Sequence, residues 1–556
     1  MYQQDSPGKI SLDGRLSHKQ SIVQQDGGSM INNKLMTRLL KFLWRIGESW
    51  PWLGRKLNEF AINRVVNVCR HRPHPWSTVH PYTSWTSLTD QHWSARHLPP
   101  KKQPAQLPSS SELLGLFRQQ DGKQRLSDKS TLLFPAVAQY LTDGFIRTRM
   151  PQAGEPETVR LQNTSNHQID MCPLYGRLPE QTAALRLKSE TKGERGRLKS
   201  QFIAREEFSP FLFDNGKPKQ EFAVLDEPLG LERALDRVPE RREELQAHIF
   251  AFGGDRTNAV PQVAMLNTLF LREHNRLAGE IERMHPQWDD ERVFQTARNN
   301  VIVIFIKIIV EEYISHISPL VPYRADPSVA WNAPWNKPNW ITTEFSLLYR
   351  WHSLVPDAIT WNGHLYLLGE TSMNNKLLLD GGLRRAFADM SSQRAGRLGP
   401  FNTAEFLWEI ETRAIEQGRL AELAPYTDYR HYVSLERPQD FADISTDPRV
   451  VDFLRKTYRR VEDIDFYVGL FAEDLVEDSP LPSLMLRMVA VDAFSQALTN
   501  PLLSQYVYNE ETFSVPGWAA IQSTGTLWDV LDRNAPSDQR GDLYIGLTLP
   551  DWMPSS

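Results

Sequence analysis

A tyrosine and a histidine stand three residues apart in Glu344-Phe345-Ser346-Leu347-Leu348-Tyr349-Arg350-Trp351-His352-Ser353-Leu354-Val355-Pro356-Asp357. The stretch is otherwise aromatic and apolar, and its Pro-Asp end should close a helical turn. On a helix, positions i and i+3 share a face, so Tyr349 and His352 would project together. An imidazole on an apolar face has two readings. It is a satisfied core histidine, or it is a ligand to a metal or haem iron with the phenol beside the same cofactor. Three other stretches set polar groups in apolar company. Gln139 and Asp143, in FPAVAQYLTDGFIRTR, are i and i+4 on one predicted helix face. Asp255-Arg256 follows Phe252-Gly253-Gly254 in a turn, and TLFLREHNR, from Thr268 to Arg276, gathers charges in an amphipathic helix. His274 lies outside HExxH spacing and there is no CxxC pair, so the usual zinc spacings are missing. No Gly-rich phosphate loop and no GxSxG elbow occurs.

Helical periodicity governs the chain that must hold these groups. Leu266, Leu269, Phe270, Leu277 and Ile281 mark one face of a helix running through LREHNRLAGEIERM. Residues 301–316 are apolar nearly all round, which predicts a fully buried helix. Further helical patterns fall at 403–418, 448–461 and 481–498, whereas strand alternation is scarce. The predicted class is mainly α: one large helical catalytic domain over 76–556, preceded by short amphipathic helices over 31–75 and a mobile polar tail over 1–30. Residues 71–110, dense in Pro, His, Ser and Trp, read as an extended arm. The charged stretch Gln181–Arg205 reads as a solvated loop or exposed helix.

Within 31–75, Leu35, Leu39, Leu40, Phe42, Leu43 and Ile46 recur at helical spacing, with Arg38, Lys41 and Arg45 on another face. Trp50-Pro51-Trp52 breaks the pattern. In the second segment, 53–68, Leu53, Leu57, Phe60 and Val68 share a face with Arg64 near its middle. This pair either anchors to a membrane surface or packs on the protein body. Arg64 either snorkels or meets an anion such as the carboxylate of an amphiphilic ligand.

The totals narrow the function classes. Of 556 residues, 40% are hydrophobic, including 16 Trp and 25 Phe, enough for a sizeable core. A net charge of −5 gives no electrostatic case for nucleic-acid binding. The two cysteines, Cys69 and Cys172, cannot build a disulfide framework, which suits a reducing, cytoplasmic setting. The N-terminus has no apolar signal core. The longest apolar run, Val301 to Val310, is too short to span a bilayer and contains Lys307. Any membrane association is therefore expected to be peripheral.

Together the motifs resemble a known superfamily. LNTLFLREHNRLAGEI resembles the signature helix of the animal-type haem peroxidases and cyclooxygenases. LLYRWHSLVPD resembles the proximal haem segment of the fatty-acid oxygenating branch, closest in form to the linoleate dioxygenases; cyclooxygenases usually carry His where Arg350 stands. The likeness runs with gaps from about Pro81 to Asn500-Pro501. It implies a haem b cofactor with His352 as axial iron ligand, Tyr349 as the radical-forming tyrosine, Gln139 as the distal glutamine and Arg256 as the distal arginine of the peroxidase branch. Arg64 lies near the carboxylate-binding arginine of the cyclooxygenases, and Ser495 near the serine lining their channel. The implied activity is oxygenation of unsaturated fatty acids by O₂ to hydroperoxides, through a tyrosyl radical.

The departures are specific. Asp143 stands at the distal histidine position, where a base normally moves a proton between peroxide oxygens. Gly144 replaces an aspartate of calcium-binding members, and Gln168 and Cys172 replace further ligands around Asp170, so no calcium is expected. Ala259 removes a site of covalent haem attachment. Thr427 replaces an asparagine that supports the proximal histidine, which predicts altered iron basicity. Two alternatives keep their place: a haem peroxidase acting on small reductants with Asp143 as distal base, and a haem-binding protein with a degenerate distal site. Cys172-Pro173 is a competing thiolate haem ligand.

Overall fold

The computed structural model describes residues 42–66 (except 45 and 48), 92–535 (except 105, 121, 320 and 321) and 543–554. The expected tail over 1–30, the basic stretch through Lys41 and most of the arm over 71–110 lie outside these residues. Among the described residues helices dominate, and the strands form four two-stranded antiparallel sheets, so the mainly α expectation holds. The helices that frame the site are α1 (Pro51–Val66), α2 (Leu133–Phe145), α3 (Pro261–Met284), α4 (Asp290–Ile308), α5 (Thr343–Leu348), α6 (Lys376–Ser392), α7 (Trp408–Leu420), α8 (Tyr426–Tyr432), α9 (Phe466–Ala472) and α10 (Ser483–Leu498).

The centre is α3. It opens on Pro261 at its first turn, where a missing N–H costs nothing, and it packs on α2, α4 and α6. Tyr140 of α2 donates its hydroxyl to Asn267 Oδ1 of α3 at 2.9 Å, so the buried phenol is satisfied. His274, which matched no metal spacing, is a core histidine: its Nδ1 pairs with the Tyr175 hydroxyl at 2.9 Å and its Nε2 with Gly196 O at 2.8 Å. The acidic first turn and Asp289 cap start α4, with Asp289 accepting from Arg292 N.

Two expectations change here. The 301–316 run is helical and largely buried, but Ile309–Ile314 is a π-helical turn. The wider turn rotates the residues beyond it relative to a regular α-helix, and Tyr313 points into the core. The 181–205 stretch ends the short helix Pro179–Leu185, crosses a turn and enters a hairpin of Gln201–Ile203 with Glu206–Phe208.

On the other side, α5 packs against α7, α9 and α10. At the amino end, α1 packs on α10 and buries Asn58, Ile62 and Val66; of the predicted face Leu57 is half-buried against the core, and Val68 lies outside the described residues. Asn58 is buried because its amide exchanges two hydrogen bonds with the Arg324 backbone, both at 3.1 Å. Phe60 is 53% exposed, and Trp50 and Trp52 are each 66% exposed.

Candidate active site

The Tyr349–His352 pair is not on one helix. Thr342 caps α5 by accepting from Phe345 N at 3.0 Å, and the helix ends at Leu348, with Tyr349 as its C-cap. His352 then opens a separate 3-10 turn, His352–Leu354. The break has a packing consequence. Residues i and i+2 of a helix face apart, yet Tyr349 stacks on Trp351 with centroids 4.7 Å apart. Trp351 in turn stacks on Phe134 of α2 at 5.5 Å and donates its indole N–H to Met485 Sδ of α10 at 3.1 Å. Tyr349 also meets Phe345 at 4.8 Å.

The Tyr349 hydroxyl is buried without a well-formed hydrogen bond, as is that of Tyr313. Burial raises the Tyr349 phenol above its ordinary range, and the adjacent Tyr313 side chain tempers that rise. Sequence reasoning missed Tyr313, because only the π turn brings it here.

His352 retains 15% side-chain exposure between buried Trp351 and Ser353. Its Nδ1 is buried and lacks a fully formed bond, but it faces Glu411 Oε1 at 3.1 Å. No described residue bonds Nε2. Glu411, on α7, is thus the group behind the imidazole. Thr427, the expected source of that support, has a buried hydroxyl with no partner. The signal for Glu411 was a carboxylate in register with Ala414, Ile415 and Gly418, all buried on α7.

Gln139 and Asp143 lie one turn apart on α2, as expected. Arg256 reaches them from a turn that only glycine permits at its start: a Cβ on Gly253 would stand 2.2 Å from Gly176 N. Arg256 Nη1 donates to Ile146 O at 3.2 Å and lies 4.0 Å from Asp143 Oδ1. Asp143 Oδ2 and Arg256 Nε are buried and unpartnered. Burial lifts the Asp143 pKa from 3.8 to about 7 against the opposing charge of Arg256, with Asp255 adding to the rise and Gln139 and Arg350 lowering it. Arg350 lies within electrostatic reach of both groups. Its charge interacts with Arg256 and Asp143 on one side and with Tyr467 and Glu411 on the other.

The remaining expected residues lie apart. Arg64, at the last turn of α1, has a buried Nε without a partner. Ser495 of α10 is fully buried and donates to Asp492 O at 3.1 Å; nothing around it gives it a role toward a ligand. Around the anticipated calcium loop, Gly144 O accepts from both Cys172 Sγ and Ser165 Oγ at 2.9 Å. Asp170 is taken up by Asn166 Nδ2 at 2.6 Å and Cys172 N at 2.9 Å. Burial pushes the Cys172 thiol up, which disfavours a thiolate ligand there.

This chain matches the animal haem peroxidase family over residues 135–543. It belongs to that family. Membership implies haem, and the donor set suits it: an imidazole whose Nε2 no described residue bonds, with the Glu411 carboxylate beside its Nδ1. Prostaglandin G/H synthase 2 of Equus caballus is 26% identical over 506 residues, 89% of this chain and 79% of that protein. Prostaglandin G/H synthase 1 of Rattus norvegicus is 27% identical over 528 residues, 90% and 81% of the two chains. Among solved structures, the Oryza sativa fatty acid alpha-dioxygenase with palmitic acid shares the fold at TM-score 0.67 and 16% identity, over 94% of this chain and 95% of that one. Peroxidase A from Dictyostelium discoideum aligns at TM-score 0.63 and 19% identity, over 86% and 99%.

Proposed function

We propose that this protein is a haem-dependent dioxygenase that converts unsaturated fatty acids to hydroperoxides through a radical on Tyr349. The observation that carries the reading is a buried phenol set beside Tyr313 in an aromatic cage, three residues from an imidazole whose Nε2 no described residue bonds. The names of the relatives, prostaglandin synthases and fatty acid alpha-dioxygenases, support the substrate class. His352 would hold the haem iron. Once oxidised by a hydroperoxide, bound haem supplies a one-electron acceptor.

The chain's residues do the rest. Burial keeps the Tyr349 phenol protonated, so it gives up an electron and a proton together. The phenoxyl oxygen takes a hydrogen atom from an activated substrate carbon, O₂ adds there, and the peroxyl takes a hydrogen atom back from Tyr349. Phe345, Trp351 and Phe134 keep water from the radical. Arg64, on the helix packed against α10, would take the substrate carboxylate. No calcium is proposed at the Asp170 loop, where Gly144 O is engaged by Cys172 Sγ and Ser165 Oγ. The test is oxygen uptake by the haem-loaded protein with a panel of saturated and unsaturated fatty acids, with analysis of the products. Uptake confined to unsaturated chains supports the reading. Peroxide turnover with phenols and no uptake supports the second reading, a peroxidase of small reductants, which the near-neutral pKa of Asp143 favours.

Under either reading Asp143 is the distal proton carrier. Hydroperoxide-dependent oxidation of a small phenol should rise with pH through an inflection near 7. Asp143→Asn should abolish the inflection and lower the rate about 10²- to 10⁴-fold, the span of a positioned acid–base group. A flat profile in the parent enzyme refutes the assignment. Stability moves the other way. The folded pKa lies above the unfolded value of 3.8, so the folded state holds this proton more tightly. That contribution is complete below about pH 4 and is lost as pH rises through 7. Asp143→Asn should therefore raise Tm relative to the parent more at pH 8 than at pH 5.

We also propose that exposed Phe42, Trp50, Trp52 and Phe60 meet a lipid surface, while the opposite face of α1 packs on the body. Among the described residues no helix is long and apolar enough to cross a membrane. Replacing Trp50 and Trp52 by Ser should reduce co-sedimentation with phosphatidylcholine vesicles and leave Tm unchanged. Equal co-sedimentation refutes this contact.

A further inference from the structure

We infer that Glu411 is a positioning residue for His352: its carboxylate orients the imidazole and strengthens its donation to the iron. The inference rests on the reading of His352 as the iron ligand. Glu411 is only 1% exposed. Two hydroxyls hold its carboxylate. Thr403 Oγ1 donates to Oε1 at 2.9 Å, and the Tyr467 hydroxyl of α9 donates to Oε2 at 2.5 Å. The oxygen that accepts from Thr403 also stands 3.1 Å from His352 Nδ1.

A buried carboxylate is costly unless its remaining lone pairs find donors. The missing donor is an Nδ1–H. Filling it fixes the tautomer, so that Nε2 carries the lone pair and points away from Glu411. Among the described residues the Thr427 hydroxyl has no hydrogen-bond partner, the imidazole included. A carboxylate on the far nitrogen of a ligating imidazole raises its basicity toward the metal. It therefore favours the ferric over the ferrous state and lowers the reduction potential. This support comes from α7, a helix distinct from the α8 segment that carries Thr427, and it is anionic where an amide would be neutral.

The test uses the haem-loaded full chain. Glu411→Gln keeps the shape and the Thr403 and Tyr467 neighbours but removes the charge. It should raise the ferric/ferrous midpoint potential, lower the ferrous iron–imidazole stretching frequency and weaken haem retention about 10- to 100-fold. Glu411→Asp should restore part of each shift. Tyr467→Phe, which frees one side of the carboxylate, should move potential and frequency the same way by less; it carries the test if Glu411→Gln fails to fold by circular dichroism. Folded Glu411→Gln with unchanged potential and frequency overturns the inference. His352→Ala separates the two claims. If that variant loses the normal haem spectrum while Glu411→Gln changes nothing, only the role of Glu411 falls; if it keeps the spectrum, the ligand reading falls as well.

Discussion

Tyr349→Phe is expected to reduce fatty-acid-dependent oxygen uptake to background while leaving the haem spectrum intact. The substitution removes one oxygen and nothing else. Phenylalanine can occupy the same cage, keeping the contacts with Phe345 and Trp351. The hydroxyl lies beside the buried Tyr313 side chain, so its loss should cost about 1 kcal/mol of stability. What disappears is the O–H bond that the proposed radical step uses: without the phenoxyl oxygen, the substrate hydrogen has no acceptor. Peroxide-dependent oxidation of small phenols should survive, since it does not pass through Tyr349. Full oxygen uptake by the variant would sink the radical assignment.

His352→Ala should remove the normal Soret spectrum and lower haem affinity by more than the roughly 10- to 100-fold typical of groups that act through a ligand. The side chain lies at the start of a 3-10 turn whose backbone bonds, Leu354 N to Trp351 O and Val355 N to His352 O, do not need the imidazole. The fold should therefore persist, and added imidazole should restore part of the spectrum by entering the space left behind. An unchanged spectrum in the variant would refute ligation at His352.

Much of this arrangement is legible in the sequence, and the failures share a cause. Pro261 and the spacing of Leu266 to Ile281 are local signals, and α3 runs where they place it. Gln139 and Asp143 share a face because four residues on one helix make it so. By contrast, the buried face of α1 turns on Asn58, whose partner is the backbone of Arg324, 266 positions away. No local pattern marks such a pairing. Glu411 is legible only as a position in register with Ala414, Ile415 and Gly418; the groups around its carboxylate, Thr403, Tyr467 and His352, come from other parts of the chain. Tyr313 depends on a π turn, and a continuous apolar run does not say how many residues each turn holds. A shared helix for Tyr349 and His352 rests on spacing alone, and the aromatic packing of Trp351 favours the break.

That break changes what can be adjusted. On an unbroken helix each residue advances the side chain by about 100°, so re-aiming a phenol would swing an imidazole three positions later with it. Here the two groups hang from separately terminated pieces, one capped by Thr342 and the other folded into its own short turn. Their torsions are independent variables. Substitutions around α5 can retune the distance from phenol to substrate without disturbing the axis of the imidazole, and changes near Glu411 can alter that axis without moving the phenol.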